Sequence, residues 1–234
     1  MNSMKVSIII PVYNEEKTIL KIIKKILKLR YINKELIVVN DGSTDNTKKL
    51  LSTFSNKRIR IINHNKNTGK GAAIRTAQKH ITGTHVIIQD ADLEYNPKDY
   101  FKLIKPIKEN KYKVVYGSRV LNRKRYSSVG FTSMFRVFGN HILTLISNIL
   151  NLQKLTDAHT CYKVFSYDVF KRIKLEENGF EFCPEITTKI SKLKLKIKEI
   201  PISYVGRKYN EGKKIKSIDA IKALITLIKY NYFR

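Results

Sequence analysis

The sequence predicts an α/β fold in which a mostly parallel central sheet carries helices on both faces. Three observations predict it. Short, unbroken apolar runs alternate with amphipathic stretches through the first half of the 234 residues. The apolar runs lack polar alternation, as strands buried on both faces do. Each run ends in a polar cluster, and ligands on parallel sheets bind beyond the carboxyl ends of the strands.

The elements follow in order. Val6–Ile10 reads as a strand closed by Pro11, and Thr18–Leu29 as a helix with Ile and Leu at positions 19, 20, 22, 23, 26, 27 and 29. Leu36–Val39 is the second strand, stopped by the turn Asn40-Asp41-Gly42-Ser43, after which Asp45 is placed to cap a helix. Ile59–Ile62, a helix over Lys70–His80 and a strand over His85–Gln89 complete the first half, with a further helix starting near Pro97. Beyond it, Val114–Tyr116 reads as a strand, Ser118–Ser128 as a basic loop and Phe131–Leu150 as a markedly apolar helix. Phe182–Leu193 is a helix, Ile197–Ile200 a strand, Arg207–Lys216 a second basic loop and Ser217–Lys229 an amphipathic helix. With no Pro/Gly/Ser linker and no repeat, residues 1–234 read as one domain. Regular alternation covers residues 1–116, and the less regular 117–234 end in the C-terminal amphipathic helix.

Lys and Arg total 46 against 19 Asp and Glu, a net charge of +27 that attracts polyanions: phosphorylated substrates, anionic lipid headgroups or nucleic acid. No RNP-like, zinc or helix-turn-helix signature accompanies that charge, so specific nucleic-acid recognition is not expected. No apolar stretch reaches the roughly 18–20 residues of a spanning helix, and no secretory signal is visible. Cys161 and Cys183 lack metal-ligand spacing and suit reduced core thiols. The expectation is a cytoplasmic protein, peripheral on the cytosolic face of a membrane.

Asp90-Ala91-Asp92 with Glu94 carries the sharpest chemistry. Clustered carboxylates repel unless a cation joins them, and hard oxygen ligands suit Mg²⁺ or Mn²⁺. The same residues also fit a turn and cap before the next helix. Asp41 can accept from a nucleobase or close an Asx turn. Asn67-Thr68-Gly69-Lys70-Gly71 opens a helix where phosphate or ribose binds, and equally reads as a plain capped helix.

Taken together, VSIIIPVYNEEKTI, ELIVVNDGSTDNT, NTGKGAAIRTA and HVIIQDADLEYNP resemble glycosyltransferase family 2 in order and spacing. In the second half VVYGSR, LTDAHTCYKVF, GFEFCPEITTKI and IKEIPISYVGRKYNEGKKI resemble its dolichyl- or polyprenyl-phosphate sugar synthase branch. The resemblance implies a Rossmann-like GT-A nucleotide-sugar fold and an inverting, metal-dependent hexosyltransferase. Its donor would be of the GDP-mannose or UDP-glucose type and its acceptor a polyprenyl phosphate at an anionic membrane surface. It makes residues 1–116 the nucleotide-sugar-binding half and 117–234 the acceptor half, and it matches Pro11, Tyr13, Glu15 and Asp41 to the nucleoside pocket, with Lys70 at the helix start as the further donor-binding candidate. Asp90, Asp92 and Glu94 fall on the Mg²⁺- or Mn²⁺-bearing segment, where relatives often have Gln at the last position. Arg119 matches a phosphate-binding residue near the reacting centre, Arg207 and Lys213 the loop that closes over the phosphates, and Asp157 a conspicuous family Asp. Cys161-Tyr162-Lys163 stands where relatives have Gly-Phe-Arg, leaving Lys163 as the substitute cation.

A phosphate monoester acceptor needs cations rather than a base, and Arg119, Arg123, Lys124, Arg125 and Arg136 are the candidates. Phe131–Leu150 is either a core helix or one that lies on the bilayer. The main alternative is a family 2 enzyme extending a saccharide, with Asp157 or Glu185 as base. A nucleotide-sugar-binding protein without catalysis is a second alternative.

Overall fold

Eight consecutive residues of the first strand, Lys5–Val12 (β1), are held in the sheet, and all but Lys5 are buried. Because successive side chains point to opposite faces, both faces of the sheet are covered there. In the computed structural model, which describes residues 4–121, 131–207 and 217–233 (of 131–136 and 217 the backbone alone), the sheet has seven strands. These are β1, β2 (Asn33–Asn40), β3 (Ile59–Asn63), β4 (His85–Ile88), β5 (Val114–Ser118), β6 (Lys163–Ser166) and β7 (Ile197–Pro201). Their spatial order is β3-β2-β1-β4-β6-β5-β7. Every pairing is parallel except those of β6, which runs antiparallel to both β4 and β5. Strand order reverses at β1, between β2 and β4, which makes their carboxyl ends the expected ligand crevice.

The helices fall between the strands as the apolar spacing requires. In α1 (Ile19–Leu27) Ile19, Ile22, Ile23 and Ile26 are fully buried at i, i+3, i+4 and i+7, and Lys21, Lys24 and Lys25 face out. Burying each Ile contributes about 1.5–3 kcal/mol. α2 (Thr47–Ser52) follows β2, α3 (Lys70–Gln78) packs on β1 and β2, and α4 (Tyr100–Lys108) packs on β5 and β6 after a 3₁₀ turn at Pro97–Asp99. α5 (Phe131–Asn151), α7 (Phe182–Lys192) and α8 (Ser217–Ile228) pack on one another, and α6 (Tyr167–Arg172) packs against β4 and β6. A π-helical turn, Lys229–Phe233, continues α8. Among the described residues no helix is long and apolar enough to cross a membrane.

Two details depart from the sequence reading. Pro11 does not close β1, which runs on to Val12. Ile9 pairs with Ile88 at the end of β4, so the side toward which the Pro11 nitrogen points has no strand left to bond. The missing N–H therefore costs no ladder hydrogen bond. β6 was not expected as a strand: four residues beginning with a lysine carry no strand signal of their own. Lys163 is nevertheless fully buried. Its ammonium donates to the carbonyls of Ala158 (3.2 Å) and Thr160 and lies 4.5 Å from the Tyr116 ring centre, so it braces the loop before it.

Candidate active site

The loops after β1 and β2 are stitched together. The Asn14 N–H donates to Ser43 Oγ (3.0 Å), the Asn14 side chain exchanges hydrogen bonds with Thr44, the Glu15 N–H donates to Thr47 Oγ1 (2.8 Å), and the Glu16 N–H donates to Asp45 (3.1 Å). Asp45 also accepts from the N–H of Thr47 (3.0 Å), but it stands one residue before the N-cap of α2, which is Asn46 and makes no side-chain cap bond. Gly42 has φ +67°, and a Cβ there would lie 2.3 Å from the Lys66 backbone, so the turn after β2 requires glycine.

Asp41 is buried at the end of β2 with both carboxylate oxygens engaged. Oδ1 accepts from Thr68 N (3.0 Å) and Thr68 Oγ1 (2.7 Å) and lies 2.7 Å from His64 Nδ1, while Oδ2 accepts from Gly69 N (2.7 Å). The carboxylate thus shapes the segment that leads into α3. Gly69, at φ +102°, brings its N–H to Asp41 where a Cβ would meet the Asn178 carbonyl at 2.4 Å.

Lys70, first residue of α3, reaches the carboxylate of Asp90 and sits between the rings of Phe180 and Phe182, 5.7 and 5.6 Å from their centres. Burial disfavours both charges. Their mutual attraction prevails, raising the ammonium and lowering the carboxyl from their ordinary ranges. Two residues on, Asp92 accepts from the Glu94 N–H (3.1 Å) and faces the Arg207 guanidinium at 3.6 Å. The same nitrogen of Arg207 lies 2.8 Å from both oxygens of Glu15. Glu94 turns away, accepting from Tyr204 Oη (2.8 Å) and from the Arg207 N–H (2.7 Å), while its carbonyl accepts from Val205 N (3.0 Å). Residues from the loops after β1 and β4 and from the segment after β7 thereby meet at one place.

The three carboxylates predicted to share a metal ion are not gathered into a cage. Glu94 is committed to residues 204–207, and no group of three or more His, Cys, Asp or Glu with metal-holding geometry occurs among the described residues. Asp90 and Asp92 remain at the strand end as hard oxygen donors. That pair fits Mg²⁺ or Mn²⁺, which commonly take one or two carboxylates and complete their shell with substrate phosphate and water.

Arg119, just past β5, makes a bidentate pair with Asp157. Nε and Nη2 each donate to it at 2.7 Å, and its own N–H adds a third bond at 3.1 Å. Asp157 is fully buried. Burial alone would raise its carboxyl, but the charge of Arg119, the Arg119 hydrogen bonds and Asn140 hold it at about 2. Glu199 accepts from the N–H groups of Thr156 and Asp157 (2.7 and 2.9 Å), fixing the loop beneath. The Arg119 guanidinium lies 5.2 Å from the Tyr204 ring centre, so this arginine meets the segment that carries Arg207.

The sequence reading missed what suspends that loop. Asn140, Thr144 and Asn148 of α5 bond respectively to the Asp157 side chain, the Ala158 N–H, and both the N–H and the carbonyl of Leu155. Three polar side chains spaced four residues apart, Asn140, Thr144 and Asn148, were the signal on a helix rich in apolar residues. Glu185, the alternative base, is fully buried and accepts from the N–H groups of Glu176 and Glu177 and from Lys189. Pro11 lies inside β1, and Tyr13 is half-buried on the loop that follows. Lys213, Arg123, Lys124 and Arg125 lie outside the described residues, as does the side chain of Arg136.

The sequence model described as Glycosyl transferase family 2 matches residues 7–174. The chain belongs to glycosyl transferase family 2. It is 32% identical over 246 residues to a dolichyl-phosphate beta-glucosyltransferase of Trichomonas vaginalis, covering 97% of this chain and 73% of that one. It is 30% identical over 222 residues to the UDP-N-acetylglucosamine–dolichyl-phosphate N-acetylglucosaminyltransferase of Methanococcus voltae, with 87% and 86% covered. Among solved structures it is similar to glucosyl-3-phosphoglycerate synthase of Mycobacterium tuberculosis, crystallised with Mn²⁺, uridine diphosphate and phosphoglyceric acid. There the TM-score is 0.72 at 19% identity, over 99% of this chain and 80% of that one. The family 2 glycosyltransferase therefore has the GT-A fold.

Proposed function

We propose that this glycosyltransferase moves a hexose from a nucleotide diphosphate sugar to a polyprenyl phosphate, in one inverting displacement at the cytosolic face of a membrane. The observation that carries the reading is the Arg119–Asp157 pair. A general base works best with a pKa near the operating pH. Asp157, held at about 2 with its oxygens on Arg119, is a poor proton acceptor and a good holder of an arginine. Glu185 is equally committed. The site is thus equipped to bind an anion rather than to deprotonate a sugar hydroxyl. The acceptor named for both dolichyl-phosphate transferases supports the same class.

A phosphate monoester is mostly dianionic at pH 7, its second pKa being about 6. Its oxygen forms the new bond to the anomeric carbon as the bond to the diphosphate breaks, and the nucleoside diphosphate leaves with that electron pair. Arg119 orients the acceptor, and Lys70 and Arg207 balance charge on the donor side. Held by Asp90 and Asp92, Mg²⁺ or Mn²⁺ would neutralise charge developing on the diphosphate. On the donor, Asp41 favours uracil over guanine. Oδ1 is crowded by three partners, whereas Oδ2 has one and keeps room for a single further donor. Uracil offers one ring N–H; guanine offers two adjacent donors.

The test is transfer of label from UDP-glucose or GDP-mannose, with Mg²⁺ or Mn²⁺, to a short-chain polyprenyl phosphate. Organic-phase label from the UDP-sugar, lost in Asp92→Ala, is the expected result. Donor binding without lipid labelling would instead favour a saccharide acceptor.

A further inference from the structure

β3 ends at Asn63, and the next residue, His64, is tied twice to the end of β2. Its N–H donates to the Asn40 carbonyl (2.8 Å), and its ring Nδ1 lies 2.7 Å from Asp41 Oδ1. At the far side of the ring, Nε2 lies 2.9 Å from Thr76 Oγ1 on α3. An ionised carboxylate only accepts, so Nδ1 carries the hydrogen that faces Asp41. In the neutral ring Nε2 then accepts from the Thr76 hydroxyl, and the donors run in one direction, Thr76 to His64 to Asp41. The ring is not core filling. It borders a cavity of about 600 Å³ that Asn63, Asn65, Lys66 and Lys79 also line.

Asp41 needs such a strut. The outer torsion of an aspartate side chain is broad, and the other groups that hold this carboxylate, Thr68 and Gly69, stand side by side on one stretch of loop. His64 instead joins it to α3, the helix that begins with Lys70. We infer that His64 is a positioning residue for donor selection. It fixes Asp41 so that Oδ2, bonded by Gly69 N at 2.7 Å, accepts one further N–H from the base, and it does so without touching the donor. The inference rests on the reading of Asp41 as the carboxylate that meets the base, and it narrows the donor to uridine against cytidine. Uracil offers its N3–H to that oxygen, whereas cytosine turns a lone pair toward it. A site built to pair one N–H rejects the ring that lacks it.

Calorimetric binding of UDP and CDP, each with Mg²⁺ and without any acceptor, tests this apart from transfer. The wild-type chain should bind UDP about tenfold or more tightly than CDP. His64→Leu should lower UDP affinity about tenfold and CDP affinity little, so that the preference collapses. His64→Asn, whose amide N–H can stand where Nδ1–H stands, should restore most of it. Thr76→Val, which removes the hydroxyl and keeps a similar shape, should shrink the preference by a smaller factor, and it carries the test if His64→Leu does not fold by circular dichroism. In turnover the KM for the UDP-sugar should rise in His64→Leu while kcat stays within about twofold. Equal loss of UDP and CDP binding, as a merely structural role would give, overturns the inference. So does unchanged UDP binding in the folded variants, or failure of His64→Asn to rescue. Asp41→Asn separates the two readings, because its amide can donate to cytosine N3 and should turn the preference toward CDP. If Asp41→Asn alters neither nucleotide's binding, the base-contacting role of Asp41 falls and the inference with it. If it does alter them while the His64 and Thr76 variants do not, the inference alone falls.

Discussion

Replacing Asp157 by Asn separates a positioning carboxylate from a catalytic base. The carboxyl sits at about 2 against an ordinary 3.8. At about 1.4 kcal/mol per pKa unit, the ionised form contributes roughly 2–3 kcal/mol to folding at pH 7. Asparagine removes the charge and leaves the guanidinium facing an amide, and breaking a buried pair by removing one partner costs about 3–5 kcal/mol. A loss near 3 kcal/mol corresponds to a fall in Tm of about 6–12 °C for a chain of this size. Urea or thermal unfolding reads that loss, and the kinetics read the rest. If Asp157 acts only through Arg119, Asp157→Asn adds little further loss of kcat/KM on an Arg119→Ala background. Full, multiplicative loss in the double variant, with stability of the single variant unchanged, would refute the positioning role.

Acid should act on the same pair. Its folded-state carboxyl is depressed, so its stabilisation is complete above about 4 and is lost as pH falls toward 2; Tm measured from pH 7 to 5 should show no step from Asp157. Lys70→Met leaves the half-buried Asp90 without its cation and should cost about 1–3 kcal/mol in urea unfolding. Binding of Mn²⁺ followed by electron paramagnetic resonance should weaken in Asp92→Asn and persist in Glu94→Gln, because Glu94 faces residues 204–207. Asn148→Ala removes two hydrogen bonds to Leu155 and should destabilise the chain by about 2 kcal/mol, lowering kcat/KM through the Asp157 loop.

The first half was legible because its signals are local: β1, β2 and β4 each hold an apolar run of three or four residues, β3 keeps its isoleucines around Arg60, and the turn at Asp41-Gly42 stands directly behind β2. The second half was harder because its cues are relational. Nothing in Lys163-Val164-Phe165-Ser166 announces a strand; it becomes one through the edges of β4 and β5. Glu94 read as a metal ligand from its neighbours in sequence, whereas its partners lie 110 and 113 residues away. Asp157 and Arg119 were both picked out, but only their distance shows that one holds the other.

The placement of β6 has a consequence for synthesis. β5 has no neighbour from the first half of the chain; both strands beside it, β6 and β7, are made later. β4 likewise waits for β6, which begins about 75 residues after β4 ends. At about 5–20 residues per second, a ribosome leaves the inner edge of β4 bare for several seconds, presenting Val86 and Ile87 to any strand that passes. Cutting the protein after residue 116 would make that interval permanent. The two halves cannot be handed out as separate parts, because the seam between them runs through the middle of the sheet.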